Sequence, residues 1–195
     1  MEQSGQLARP ITSRSHGSNP VPAIIFRGVK TKMEKIDAST LGVVVIDMQP
    51  SFLKSLSESE KENIISAHES FLKEISKKKS QIMFLEYIGC GKTEERIIGV
   101  AEKQYRENTF VKCYADGYYK NENFRRFIEN QNFRNILYTG LYAGACVLST
   151  AESSPKNSTP LFCKDLSNRN AHAIDWFSKD ERIYDSYKTL LNLLE

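Results

Sequence analysis

From Leu41 onward, short runs of β-branched and aromatic residues alternate with stretches of helical periodicity, and no other feature constrains the fold as strongly. The run from Gly42 to Asp47 stays apolar up to its closing acid, which is typical of a strand buried on both faces of a sheet. Strands are predicted at 42–47, 81–86, 109–112, 135–140, 160–163 and 182–184. Helices are predicted at 57–78, 92–104, 121–130, 143–152, 171–177 and 187–194. This order predicts an α/β fold, a three-layer α/β/α sandwich with a mostly parallel, about six-stranded sheet.

The first 38 residues differ in composition from the rest of the chain. Up to Pro22 they are rich in Ser, Gly, Pro and Asn and show no strand or helix periodicity, as in an extended or flexible segment. The short apolar patch from Ala23 to Phe26 is the exception, and it could pack on the body or on a neighbouring subunit. We therefore predict an N-terminal arm over 1–38 and one folded domain over 39–195.

The charge is also uneven along the chain. Residues 1–40 contain six basic and three acidic side chains and so carry all of the net charge of +3, while the remainder is balanced. A balanced body lacks the basic surface on which nucleic-acid binding depends, so no nucleic-acid partner is expected. No apolar run approaches the ~18 residues of a membrane span, so no membrane partner is expected either.

The four cysteines bear on the compartment. They are not spaced as metal ligands, and a chain of this length needs no disulfide framework. The first residues also lack the apolar stretch of a secretory signal. We expect reduced thiols in a cytoplasmic protein.

Three chemically useful side chains stand where predicted strands end: Asp47, Lys112 and Cys146. Each alone has an ordinary explanation, as a turn cap, a surface charge and an inert packed thiol, respectively. The carboxyl ends of parallel strands meet at one edge of the sheet, however, where α/β proteins bind ligands. The sequence therefore predicts that an acid, a cation and a thiol lie within reach of one another there.

This combination predicts nucleophilic catalysis. The thiolate is the reactive form of cysteine, and both the Lys112 ammonium and the start of a helix are expected to lower the pKa of Cys146 from ~8.5 toward neutrality. The carboxylate of Asp47 can accept the thiol proton and deliver it to a leaving group. Cys146 is accordingly expected to be the most reactive thiol of the chain.

The motifs around these residues resemble one family, the isochorismatase-like cysteine hydrolases, in order and spacing over about residues 41–190. The quoted segments are Val43 to Gln49 with Phe52, Phe110 to Lys112 with Tyr118, Gly140 to Val147 with Thr150 and Ala151, and Lys164 to Leu166 with His172. The resemblance implies Cys146 as nucleophile, Asp47 as general acid/base and Lys112 as the organising cation. It also implies a cis peptide between Tyr142 and Ala143, and an oxyanion hole made by the backbone N–H groups of Ala143 and Cys146.

The resemblance leaves the reaction open. Amide-cleaving members commonly carry Thr or Ser and then an acid where this chain has Ala143 and Gly144, and the Tyr142-Ala143 pair is similar to the enol-ether-cleaving isochorismatase branch. That branch typically lacks the cysteine found here at position 146. The hypotheses are a cofactor-free hydrolase of a small amide, imide or ureido C–N bond, an isochorismatase-type hydrolase using Asp47, and a non-catalytic binding protein that retains the fold.

The remaining expectations concern ligands and assembly. Family nicotinamidases bind a metal through histidines near the second and third strands, whereas His16, His68 and His172 lie elsewhere, so we predict no metal and no cofactor. The expected partner is a small-molecule substrate, and we expect a homo-oligomer, a dimer or tetramer. Candidates for lining the substrate pocket are Phe52, Glu86, Tyr87, Tyr118 and Tyr142.

Overall fold

The computed structural model describes residues 34–168 and 183–195. Six strands form one sheet in the order β3-β2-β1-β4-β5-β6, and every described strand pairing is parallel. The strands are β1 (Leu41–Ile46), β2 (Gln81–Tyr87), β3 (Thr109–Lys112), β4 (Asn135–Gly140), β5 (Thr159–Ser167) and β6 (Ile183–Tyr184). The chain order reverses between β1 and β4, so a crevice is expected at the carboxyl ends of these two strands.

Helices cover both faces of this sheet. They are α1 (Pro50–Leu53), α2 (Glu58–Ile75), α3 (Glu95–Val100), α4 (Glu102–Glu107), α5 (Glu122–Asn130), α6 (Leu148–Glu152) and α7 (Tyr187–Leu193), and a π-helical turn over Ala143–Val147 leads into α6. The longest, α2, begins at a capping box in which Ser57 and Glu60 each bond the other's backbone N–H.

The alternating side chains of the strands divide the core into two layers. On one face, Val43 and Val45 of β1 pack with the apolar residues of α2, α3 and α7. On the other face, Val44 and Ile46 pack with α5 and with the segment from Ala143 to Ala151. Because both faces of β1 are buried, its sequence is a continuous apolar run rather than an alternating one.

The predicted three-layer α/β/α fold is confirmed, with small differences in element bounds. The strand β5 extends to Ser167, and the predicted helix over 92–104 is two short helices that break at Ala101. Ile36 is buried and forms a parallel bridge with Leu194, so this residue of the predicted arm packs on the folded body. The predicted helix at 171–177 lies outside the described residues, as do Ala23 to Phe26. Within the described ranges, no helix is both long and apolar enough to cross a membrane.

Candidate active site

The structure brings Asp47, Lys112 and Cys146 together at the carboxyl edge of the sheet. Asp47 follows β1, Lys112 ends β3, and Cys146 lies in the π turn that follows β4. The ammonium of Lys112 is 2.7 Å from Oδ2 of Asp47, and the Cys146 thiol lies near enough for both charges to affect its pKa. This edge is also where the chain order reverses, which places Asp47 and Cys146 on the two sides of the expected crevice.

The backbone of Asp47 is held in a left-handed conformation, with φ at 54°. Its N–H donates to the carbonyl of Leu85 on β2, and its own carbonyl accepts from the N–H of Gln49 at 2.7 Å. Non-glycine residues rarely adopt positive φ, and such strained positions concentrate at functional sites. Of the three non-glycine residues with positive φ in the described chain, Asp47 and Tyr142 belong to this site.

The Asp47–Lys112 ion pair is almost fully removed from solvent. The side chains are 0% and 1% exposed, and Lys112 also donates to the carbonyl of Tyr114 at 3.3 Å. Its ammonium lies 5.0 Å from the centre of the Tyr87 ring, within the range of a cation–π contact. The other carboxylate oxygen of Asp47, Oδ1, is buried and has no hydrogen-bond partner in the part of the chain that the structure describes. It is therefore the oxygen available to accept a proton.

A glycine allows the turn that carries Cys146 to approach Asp47. Gly140 ends β4 with φ at +116°, and a Cβ atom there would overlap the carbonyl oxygen of Ile46, the last residue of β1. The same carbonyl accepts a hydrogen bond from the N–H of Leu141 at 3.0 Å. Only glycine tolerates both this conformation and this close approach, so β4 can deliver Cys146 beside the end of β1.

The electrostatics of the thiol differ from the sequence prediction. Burial and, to a lesser extent, the neighbouring Asp47 raise the pKa of Cys146 to about 11, against a smaller opposing effect of Lys112. Lys112 does lower this pKa, as expected, but the predicted net shift toward neutrality was wrong, because it left out the loss of hydration and the competing carboxylate of Asp47. Burial also raises the pKa of Asp47 above its usual value, against the attraction of Lys112.

The turn before Cys146 is made without the predicted cis peptide. The bond between Tyr142 and Ala143 is trans, and Tyr142 itself reverses the chain in a left-handed conformation with φ at 56° and ψ at 64°. Its carbonyl then accepts from the N–H groups of Ala145 and Val147, and the second of these bonds has π-helical spacing. The prediction was wrong because the sharp turn is made at the Tyr142 Cα atom rather than by isomerisation of the next peptide.

The predicted oxyanion donor at Ala143 is engaged in this structure. Its N–H donates to the carbonyl of Asn168 at 3.3 Å, and the side-chain oxygen of Asn168 accepts from the N–H of Tyr142 at 3.1 Å. The N–H of Asn168 donates in turn to the carbonyl of Gly140. Asn168 thus clamps the turn, and a substrate oxygen would have to replace its carbonyl at Ala143. Cys146, the other predicted donor, lies in the turn as expected.

Three of the five predicted pocket residues form an aromatic rim. The ring of Phe52 contacts those of Tyr87 and Tyr142 edge to face, with centroid distances of 6.0 and 5.7 Å. The hydroxyl of Tyr142 lies 3.4 Å from that of Ser55. Phe52 follows β1, Tyr87 ends β2 and Tyr142 follows β4, so the three rings rim the same edge that holds the catalytic candidates.

The other two pocket candidates lie elsewhere. Glu86 points to the opposite face of β2 from Tyr87, and its Oε1 accepts hydrogen bonds from Thr93 and Tyr105. Tyr118 is buried against Phe124 in the core, where its hydroxyl donates to a carboxylate and burial raises its pKa to about 12. Strand alternation places Glu86 on the face of β2 away from the site, and Tyr118 is a core residue. Both were predicted from their nearness to a strand end, which does not show on which face a side chain lies or whether it is buried.

Three polar residues that the sequence did not single out position the site through hydrogen bonds. The amide of buried Gln49 bonds the backbone of Tyr87 in both directions and also donates to the carbonyl of Gly91, which fixes the end of β1 against the end of β2. Asn168 holds the turn before Cys146 through its backbone and side chain. Thr150 bonds the carbonyl of Cys146 at 2.7 Å. Gln49 and Thr150 both lie inside the family motifs quoted above, and this membership could have marked them as site residues.

No cluster of three or more His, Cys, Asp or Glu side chains suited to a metal occurs within 34–168 and 183–195. His68 is fully buried in α2 with its Nδ1 2.8 Å from the carbonyl of Ile64, which makes it a core residue. His172 lies outside the described residues, as does His16.

A buried thiol beside a carboxylate and an ammonium, at the switch point of a parallel sheet, is typical of α/β enzymes as a class, which bind their ligands at this point. The sequence matches the isochorismatase domain family over residues 42–154, more than half of the chain. The protein therefore belongs to this family and is an isochorismatase-like hydrolase. Comparison with curated proteins gives no match.

Solved structures share the fold. The YcaC gene product of Escherichia coli, described as an octameric hydrolase of unknown specificity, has a TM-score of 0.67 at 14% identity, over 82% of this chain and 81% of that one. A cysteine hydrolase from Pseudomonas syringae has a TM-score of 0.67 at 11% identity, over 82% and 94%. The nicotinamidase of Staphylococcus aureus has a TM-score of 0.64 at 14% identity, over 75% and 99%.

Proposed function

We propose that the protein is a cofactor-free cysteine hydrolase that cleaves a C–N bond of a small, uncharged amide, imide or ureido compound through a thioester on Cys146. The observation that carries the proposal is the position of Cys146 beside the buried Asp47–Lys112 ion pair, near enough for both charges to act on the thiol. An inert core thiol would not require two opposite charges to be desolvated beside it, which is costly for both ions.

The raised pKa values define the first step. At neutral pH the Cys146 thiol is protonated, so it must be deprotonated as it reacts. Asp47 offers an unpaired oxygen and has a pKa raised by burial, which makes it a better proton acceptor than an ordinary carboxylate. When the proton moves from Cys146 to Asp47, the negative charge moves from one partner of Lys112 to another. The number of buried charges is unchanged, so the transfer does not require a new charge to be desolvated.

The remaining steps conserve the proton. The sulfur of Cys146 bonds the substrate carbonyl carbon, and the oxygen takes the negative charge, which backbone N–H groups of the turn stabilise. Asp47 returns its proton to the leaving nitrogen, the C–N bond breaks, and a thioester remains. Asp47 then takes a proton from water, the hydroxyl attacks the thioester, and the C–S bond breaks as Cys146 recovers a proton from Asp47. The products are a carboxylic acid and an amine or ammonia from an amide, a carboxylic acid and an amide group from an imide, and a carbamic acid and an amine or ammonia from a ureido compound.

The charges of the site favour a neutral substrate over an anionic enol ether such as isochorismate, which carries carboxylates. The cation Lys112 already pairs with Asp47 at 2.7 Å and donates to the Tyr114 carbonyl. The rim residues Phe52, Tyr87 and Tyr142 are aromatic, and they suit a flat, uncharged group.

The test uses a panel of small amides, imides and ureido compounds together with isochorismate. For any hydrolysed amide, Cys146→Ala should abolish turnover and the covalent adduct seen by intact-protein mass spectrometry. Asp47→Asn should lower kcat/KM by about 10²–10⁴-fold. Cys163→Ala is the matched control, because Cys163 is also a buried thiol but lies on β5. It should retain the wild-type rate.

Two outcomes contradict the proposal. If isochorismate is the substrate, with Asp47→Asn inactive and Cys146→Ala nearly as active as wild type, the enol-ether reaction is the correct one. If no compound is hydrolysed and no adduct forms at Cys146, the fold serves binding rather than catalysis.

We also infer a homo-oligomer in a reducing compartment, the cytoplasm. All four cysteines are free, and Cys113 is exposed to solvent, which supports a reducing environment. Ile88, Val111, Tyr114 and Tyr119 are large side chains that are more than half exposed near the β3 edge of the sheet, and exposed apolar surface supports self-association. Light scattering coupled to size exclusion tests this, and a monomer at micromolar concentration would contradict it.

A further inference from the structure

The segment that runs from Cys146 into α6 is joined to the loop that supports Lys112 by one buried hydroxyl. Thr150 lies in α6, four residues after Cys146, and is fully buried. Its Oγ1 is 2.7 Å from the carbonyl of Cys146 and 3.4 Å from that of Ala115. It also accepts the N–H of Gly117 at 3.0 Å. A hydroxyl has one proton, and the shorter distance assigns it to Cys146.

The loop residue Gly117 packs directly on the side chain of Lys112. A Cβ atom at position 117 would overlap the side chain of Leu85 and would lie 3.2 Å from Cδ of Lys112. The Cα atom of Gly117 therefore fills the space beside the lysine stem, and a displacement of this loop removes that support. A second contact joins this loop to the lysine, because the carbonyl of Tyr114 accepts a hydrogen bond from the Lys112 ammonium.

We propose that Thr150 is a positioning residue, whose hydroxyl fixes the spacing between the Cys146 thiol and the Lys112 ammonium. A threonine that bonds only the carbonyl four residues earlier is common in helices and implies no such role. Here the same oxygen also satisfies a buried N–H from a different segment, 33 positions away in sequence. The expected effect of Thr150 on turnover rests on the proposed function, whereas its expected effect on the ionisation of the Cys146 thiol is independent of that function.

The first test measures the thiol without a substrate. The alkylation rate of Cys146, followed by peptide mapping as a function of pH, reports its ionisation in wild type, Thr150→Val and Thr150→Ser. Thr150→Val has nearly the same shape but cannot accept the Gly117 N–H, so the loop must move to hydrate it and the ammonium loses its support. We expect the ionisation midpoint of Cys146 to rise in Thr150→Val and to stay at the wild-type value in Thr150→Ser.

The matched control is Ser153→Ala on the same helix. The hydroxyl of Ser153 donates to the carboxylate of Asp116 in the same loop, but it touches neither the Cys146 carbonyl nor the Gly117 N–H. It should leave the midpoint of Cys146 unchanged. An equal shift in Ser153→Ala and Thr150→Val would mean that general tethering, rather than Thr150, sets the spacing, and an unchanged midpoint in Thr150→Val would overturn the proposal.

The second test uses turnover of any substrate found for the wild type. Thr150→Val should lower kcat by about tenfold with KM within about twofold, and Thr150→Ser should recover most of the rate, because the ground-state contacts of the substrate are untouched. A loss confined to KM would contradict the positioning role. If Thr150→Val does not fold, the thiol measurement on Thr150→Ala and Thr150→Ser decides, with the same expected contrast. Failure of the hydrolase proposal would appear as activity in Cys146→Ala and would leave the thiol result intact.

Discussion

Protonation of His68 should destabilise the fold as the pH falls below neutrality. The imidazole is fully buried in α2, its Nε2 has no hydrogen-bond partner among the described residues, and burial lowers its pKa from 6.5 to about 4. The unfolded state therefore binds a proton more readily than the folded state between these two values. The stability that this difference provides is present above pH 6.5 and is lost as the pH falls toward 4.

The difference of about 2.5 pKa units corresponds to about 3 kcal/mol at full protonation of the unfolded state, and about 2 kcal/mol of it should be lost between pH 7 and 5. Urea denaturation of wild type, His68→Leu and His68→Gln at pH 7, 6 and 5 measures this loss. Carboxylates titrate in all three proteins, so they cancel in the difference between wild type and variant. Parallel curves, with the wild type losing no more stability than either variant, would refute the assignment.

Further predictions concern accessibility, strain and the start of the body. In place of the sequence-based expectation that Cys146 is the most reactive thiol, peptide mapping with limiting iodoacetamide at pH 7 should find Cys113 labelled before buried, protonated Cys146; the reverse order would contradict the raised pKa. Gly140→Ala should lower the free energy of unfolding by at least about 2 kcal/mol in urea titrations, because its methyl group overlaps the Ile46 carbonyl; wild-type stability would show that the overlap is relieved. A chain starting at 34 should keep its thermal transition within a few degrees, whereas a chain starting at 40 should lose several degrees because Ile36 is removed from the core; equal transitions would place the boundary elsewhere.

The sequence predicted the sheet well because its signal is local. Strands buried on both faces must be continuous apolar runs, and Val43 to Ile46 is one whatever its neighbours are. The positions of Asp47, Lys112 and Cys146 also followed from topology alone, since the carboxyl ends of parallel strands share an edge.

Features that depend on tertiary distances were not predictable in the same way. The pKa of Cys146 depends on how much water is excluded and on which charge is nearer, and the sequence spacing of Lys112 gives neither. The clamp at Ala143 depends on Asn168, which reaches the turn from the end of β5, 25 positions later in the chain. The separation of Glu86 from Tyr87 follows from strand alternation and could have been predicted once the faces of β2 were assigned.

If Lys112 pairs with one anion at a time, replacing Asp47 should raise the alkylation rate of Cys146 and lower the rate of substrate hydrolysis. Asp47 raises the pKa of the thiol and Lys112 lowers it, so Asp47→Asn removes a competing anion and leaves the cation free to stabilise the thiolate. The variant should therefore alkylate at Cys146 faster than wild type between pH 8 and about 9, although it hydrolyses substrate about 10²–10⁴-fold more slowly for want of a proton carrier. A double variant with Cys146→Ala identifies the labelled site, and the thermal transition shows whether the unpaired ammonium is tolerated. If Asp47→Asn slows both alkylation and hydrolysis in a protein that remains folded, Asp47 acts as an aid to thiolate formation in the resting site. The shared-cation account of the ion pair would then be wrong.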